Sequence, residues 1–212
     1  VPSVDTLLAF MVTALVVIVV PGPSVLFVVS RALAGGRRVA VLTVVGNALG
    51  EYVQVVAVAY GIGAIAERSV GTFTALKLVG GAYLVYLGAK TYKQRKSLAT
   101  ALATPAEQTS DRRSFAQGLI VGVTNPKTIV FLAAILPQFV DRANGHVAAQ
   151  ILLLGLVFAI IAIVSDTMWA LAAARFRTWF ARSPRRLELV GGAGGLAIMA
   201  VGAGLIVSGH TD

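Results

Sequence analysis

The stretch Val19-Val20-Pro21-Gly22-Pro23-Ser24-Val25-Leu26-Phe27, VVPGPSVLF, lies inside a charge-free run that extends from residue 6 to residue 30. A proline in a helix interior has no N–H to donate, and its ring clashes with the preceding turn, which costs roughly 3 kcal/mol. Two prolines around a glycine therefore mark a deliberate break in an otherwise apolar helix. Residues 147–165 and 189–209 are also free of charge. A helix of such length spans roughly 30 Å, the thickness of a hydrocarbon core. Barrel strands are excluded, since they alternate apolar and polar residues over about ten positions. The chain of 212 residues is 57% hydrophobic and 13% charged, with a mean hydropathy of +0.84. Soluble domains carry about 25% charged residues. These features define a polytopic α-helical membrane protein.

The first apolar run reads as a retained span and not as a cleaved signal, because it is long and its one early charge is Asp5. The absence of cysteine excludes disulfides, thiol redox chemistry and thiolate metal sites. The net charge of +9 belongs to loops facing the cytoplasm and anionic lipid, so no nucleic-acid partner is expected. Neither a cofactor nor a metal is expected.

Six spans are expected, at about 5–30, 39–64, 69–91, 114–139, 147–173 and 188–208. Loop one carries Arg31, Arg37 and Arg38. Loop three carries Lys90, Lys93, Arg95, Lys96, Arg112 and Arg113, and loop five Arg175, Arg177, Arg182, Arg185 and Arg186. The basic residues thus concentrate in alternate loops, which places those loops in the cytoplasm and both termini outside. The hydrophilic stretch 93–113 reads as a cytoplasmic linker. It divides a single membrane domain, 1–212, into repeats 1–92 and 114–212. Three spans is an odd number, so the second half sits inverted relative to the first. Many secondary transporters are built this way, with broken helices at matching places in the two halves.

The second half has such a break. Its first span, Gly118–Phe139, is interrupted by Asn125-Pro126. Ordinary proline kinks are the plainer explanation, but their corresponding positions favour a binding site. Charges inside spans are costly, roughly 2.5–3.5 kcal/mol at the bilayer centre on insertion scales. Three fall deep here: Glu51 in span two, Lys127 just after the second break, and Asp166 in span five. Spans two and five correspond, and each carries one acid. The match is imperfect, since Pro23 to Glu51 is 28 residues and Pro126 to Asp166 is 40. The expectation is a cavity between the repeats, lined by these groups, in which Asp166 or Glu51 exchanges a proton. A structural Lys127–Asp166 pair is the plainer alternative. Half-helix ends at the breaks suit a zwitterion: freed N–H groups for its carboxylate, freed carbonyls for its ammonium. Lys127 could also meet the carboxylate. Lys77 can snorkel outward and reads as structural.

Asn47 and Gln54 share a helix face with Glu51, either extending the polar stripe or joining helices. The pairs Gly46/Gly50, Gly118/Gly122 and Gly191/Gly195 have G-x-x-x-G spacing, which allows close helix approach. Glycine-rich faces on span six suit a homodimer.

With these residues in hand, the chain resembles the LysE/RhtB family of bacterial amino-acid exporters. The resemblance is carried by PGPSVLFVVSRALAGGRRVAV (21–41), LKLVGGAYLVYLGAK (76–90), TNPKTIVFLAAILPQF (124–139) and Asp166. It implies a six-helix inner-membrane protein with an inverted three-helix repeat. It also implies export of amino acids or related small metabolites by proton antiport. The family's motif positions carry over to Pro21, Gly22, Pro23, Asn125, Pro126 and Lys127, and its span-five acid to Asp166. Glu51 is not a family hallmark and rests on its burial cost alone. Related thiol-exchange and divalent-metal efflux families are disfavoured by the missing cysteines and by only two histidines, His146 and His210. Two other classes compete. An intramembrane enzyme lacks any histidine-paired acid or zinc motif. A structural or regulatory membrane subunit predicts no solute-accessible cavity between the breaks.

Overall fold

The computed structural model describes residues 2–68, 70–94, 110–175 and 184–207. Most of the linker 93–113 lies outside these residues, as do residues 176–183 of loop five, the side chains of Lys77 and Gly191, and His210.

Every regular element among the described residues is helical. Helix α1 is Val4–Val19, started by Ser3, whose hydroxyl accepts from the Thr6 N–H, with Asp5 in the first turn. Both features satisfy the free donors and positive end of a helix N-terminus. The chain breaks at Val20-Pro21-Gly22 and resumes as α2, Pro23–Arg68. That long element is two helices that meet at a kink, divided at Gly36, whose φ of 72° lies in the left-handed region open to glycine. This turn is loop one. Helix α3 is Val70–Lys93. Helix α4, Asp111–Thr124, begins at Ser110, whose hydroxyl accepts from the Arg113 N–H. Asn125-Pro126 ends it. A short α5, Pro126–Val130, follows, then a π turn at Phe131–Ile135 and a 3₁₀ turn at Leu136–Phe139. Helices α6, Val147–Arg175, and α7, Pro184–Val207, complete the order.

Among the described residues two helical segments, Gly35–Gly61 and Val147–Ala172, are long and apolar enough to cross a membrane by themselves. Val4–Val19 with Pro23–Ala32, bent by 59°, and Asp111–Thr124 with Pro126–Phe139, bent by 41°, each count as one further span if a bent pair crosses together. These four are the expected spans two, five, one and four. The third and sixth fall on α3 and α7. Lys90 and Lys93 end α3, and the apolar part of α7 is the shorter Gly192–Val207.

Glycine sets the helix contacts. A Cβ on Gly46 or Gly50 of α2 would run into the backbone of Phe115 and Leu119 of α4, and one on Gly118 or Gly122 into the backbone of Thr43 and Asn47. The two G-x-x-x-G pairs read in the sequence therefore pack against each other, backbone on backbone. Val55 of α2 fills the space beside Gly155 of α6. Gly81 and Gly88 of α3 lie on Gly202 and Gly195 of α7. The Gly195 and Gly202 face of span six is thus covered within the chain, whereas Gly204 has nothing near its Cβ position. The core under the broken spans is aromatic: Phe131 stacks on Phe158 at 5.2 Å between ring centroids and meets Phe10 at 6.1 Å.

Candidate functional site

Each proline at the two breaks removes the N–H that the carbonyl four residues earlier would have accepted. Pro21 frees the carbonyl of Val17, Pro23 that of Val19, and Pro126 that of Gly122. A carbonyl freed in this way is costly wherever water cannot replace the missing donor, as inside a bilayer. In all three cases a side chain from the other half of the chain supplies one. Lys127 Nζ donates to the carbonyls of Val17 and Val20, both at 2.9 Å. Trp169 Nε1 donates to that of Val19 at 3.2 Å. Gln54 Nε2 donates to that of Gly122 at 2.6 Å and to that of Val123 at 2.9 Å.

Between the breaks runs a chain of polar side chains. Asn125 donates from Nδ2 to Ser24 Oγ at 2.8 Å and to Thr128 Oγ1 at 2.9 Å. Thr128 Oγ1, already an acceptor, donates its proton to Glu51 Oε1 at 3.2 Å. Asn47 Nδ2 divides its two hydrogens between Glu51 Oε1, at 3.3 Å, and Asp166 Oδ2, at 3.1 Å. Glu51 Oε1 therefore accepts twice, while Oε2 is buried with no partner, as is Asn47 Oδ1. Glu51, Lys127 and Asp166 are 4%, 5% and 3% exposed. The cluster is closed to solvent.

The structure brings together most of the residues expected from the sequence. Glu51, Asp166 and Asn47 form one hydrogen-bonded unit, joined through Thr128 to Asn125. Lys127 lies against Gly22, where a Cβ would stand 3.3 Å from Nζ. No ion pair joins Lys127 to either acid among the described residues, whose recorded ion pair is Arg38–Asp111 at 2.7 Å. The freed carbonyls of break one, expected to suit a ligand's ammonium, hold the Lys127 ammonium instead. Gln54 stands apart from the acids and joins helices. Asn125 Oδ1 accepts from the Lys127 N–H and so caps α5.

Three participants went unread in the sequence: Ser24, Thr128 and Trp169. Ser24 and Thr128 sit within two residues of a break proline and carry no charge to flag them. Trp169 had a signal. It lies three residues after Asp166, as Gln54 lies three after Glu51, and both face a carbonyl freed by a proline.

Two cavities flank the cluster without being lined by Glu51, Lys127 or Asp166. One is an apolar groove of about 540 Å³ along the seam of α1 and α6, walled by Leu15, Val19, Val164, Met168 and Trp169 among others. The other, of about 110 Å³, lies beneath the Gly36 turn and is lined by Val44 and Thr167. Ser165 of the first adjoins Asp166, and Val44 and Thr167 of the second lie within a helical turn of Asn47 and Asp166. Among the described residues no group of three or more His, Cys, Asp or Glu could hold a metal ion.

Comparison with known proteins places this arrangement. No solved structure matches the chain. It is 33% identical over 202 residues to the homoserine/homoserine lactone efflux protein of Salmonella typhimurium, covering 95% of this chain and 96% of that one. It is 36% identical over 178 residues to an uncharacterized membrane protein of Vibrio cholerae, covering 84% of each. Residues 15–209 match the family described as LysE type translocator. With that match over most of its length, the chain belongs to the LysE type translocator family, a family of transporters and not of enzymes.

Proposed function

We propose that the protein exports an amino acid or a closely related small metabolite from the cytoplasm in exchange for protons. The observation that carries this reading is the Asn47 amide held between Glu51 and Asp166, acids of corresponding spans, at the meeting point of the two breaks. Buried carboxyl groups inside spans serve as markers of substrate and ion pathways and of proton relays. The relatives named for homoserine and homoserine lactone efflux support a small, polar, amino-bearing substrate.

An inverted repeat accounts for the packing. Exchanging spans one, two and three for four, five and six turns the contact of span two with span four into that of span five with span one. The contacts of span two with five and of three with six map onto themselves. All of these are made in the fold. The positions three residues after each acid, Gln54 and Trp169, obey the same exchange, since they hold Gly122 and Val19, the carbonyls four before Pro126 and Pro23. The difference between 28 and 40 residues from proline to acid also finds a cause. The first half passes from its broken span to span two through the Gly36 turn alone. The second inserts the π and 3₁₀ turns and the connection 140–146.

In this reading Pro21, Gly22, Pro23, Asn125, Pro126 and Lys127 form the walls of a substrate site, with Asn47 and Gln54 beside them. Asp166 and Glu51 carry the proton. Rocking of one half against the other opens the cluster to either side in turn. The protein lies in the inner membrane with loops one, three and five in the cytoplasm and both termini outside.

Export from liposomes containing only this protein tests the proposal. They are loaded with homoserine, homoserine lactone and the common amino acids, under an inward proton gradient. Selective loss of one or a few, abolished by collapsing the gradient, is expected. Retention of every solute under a maintained gradient would overturn it.

A further inference from the structure

We propose that Trp169 and Gln54 are equivalent positioning residues for transport: each clamps a proline-freed carbonyl of the opposite half and holds the polar cluster closed. The inference rests on the reading that the halves rock against each other, and it assigns the contacts that such rocking must break.

Trp169 comes from α6 and reaches Val19 at the end of α1; Gln54 comes from α2 and reaches Gly122 and Val123 at the end of α4. Each is three residues past an acid of the cluster, so a helical turn ties the clamp to Glu51 or Asp166. The carbonyls they hold cannot be satisfied by a helical N–H at positions 23 and 126, because those positions are proline. Inside a membrane a freed carbonyl has no bulk water to turn to. Separation of α1 from α6 therefore withdraws the donor of Val19, and separation of α4 from α2 leaves Gly122 with only the long 3.4 Å bond from the Asn125 N–H. Lys127 holds Val17 and Val20 in the same way, but it also lies in the substrate walls. Trp169 belongs to none of the assigned site residues. Its ring also walls the apolar groove between α1 and α6, at the seam that opens when the clamp releases.

The chain contains no cysteine, so Ser24→Cys places a single thiol in the closed cluster. Its labelling by a small methanethiosulfonate reagent, in detergent without substrate or gradient, reports opening of the cluster whether or not the protein exports anything. In this background Trp169→Phe keeps an aromatic ring and removes the N–H. Labelling is expected to be about fivefold faster, the factor that one neutral hydrogen bond carries, with the melting temperature held. Gln54→Leu should accelerate it in the same direction. Trp169→Leu should be no faster than Trp169→Phe. Three results would overturn the proposal. One is labelling at the parent rate in Trp169→Phe. Another is acceleration in Trp169→Leu alone, which assigns the effect to ring packing. The third is acceleration accompanied by a large fall in melting temperature, which assigns it to general loosening.

Discussion

Lys127 Nζ donates to the carbonyl of Val17 at 2.9 Å, and Val17 is the residue whose helical donor Pro21 removes. The lysine replaces the missing N–H from across the interface between the halves, and a second bond to Val20 fixes its direction. Its charge is thus spent on backbone dipoles at the end of α1, where a cation is favoured by the helix's negative end. This geometry explains how a buried lysine is tolerated without a paired carboxylate beside it.

Lys127→Met leaves the carbonyls of Val17 and Val20 buried without their donor. Each such loss costs about 1–3 kcal/mol. The melting temperature in detergent should fall, and gradient-driven export should drop by more than tenfold. Lys127→Arg should not restore export, because a planar fork cannot fill the place of a compact ammonium beside Gly22. Full export by Lys127→Met would show that the break needs no partner, and full export by Lys127→Arg that the place beside Gly22 does not select a compact ammonium.

Asp166→Asn keeps the shape of the site and removes the exchangeable proton. Gradient-driven export in proteoliposomes should fall at least tenfold while the protein still inserts and purifies. Wild-type proton-driven export by this variant would remove Asp166 from the coupling role.

Asn47→Leu takes away the amide that serves both acids at once. Two buried carboxyl groups then lose a donor, so a loss of about 2 kcal/mol or more is expected in unfolding measurements. Asn47→Asp should be worse, because it sets a third carboxyl group beside the other two. A variant order reversed from this would mean that the amide is not the bridge.

Gly50→Ala and Gly122→Ala each place a methyl group against the facing backbone, which cannot move aside as a side chain can. Both should reduce stability by about 1–3 kcal/mol. Gly61→Ala, with nothing near its Cβ position, should be neutral or slightly stabilising. Comparable melting temperatures for all three would contradict the close approach of α2 and α4.

Arg38→Ala breaks an ion pair with Asp111 whose partners are 82% and 44% exposed. Such pairs contribute about 0–1 kcal/mol, so its melting temperature should lie close to that of the parent. A large destabilisation would show that the pair holds the ends of α2 and α4 together.

The sequence by itself determined that the chain is a helical membrane protein, where its helices break and which charges are buried. Those facts follow from local chemistry: a run of apolar residues, a missing proline N–H and the cost of a charge in hydrocarbon are each legible at one position. It also carried the family resemblance, which the comparison over residues 15–209 bears out. Only the tertiary structure decided who answers each break. Nothing local says that Lys127 reaches Val17, that Gln54 serves Gly122 and not the acids, or that Trp169 matters at all. These partners lie 110, 68 and 150 residues apart. A carbonyl freed by proline can be satisfied by any donor that packing brings within hydrogen-bond reach. Which one arrives depends on how closely the glycines of α2 and α4 let the backbones meet, and that is settled by the fold as a whole.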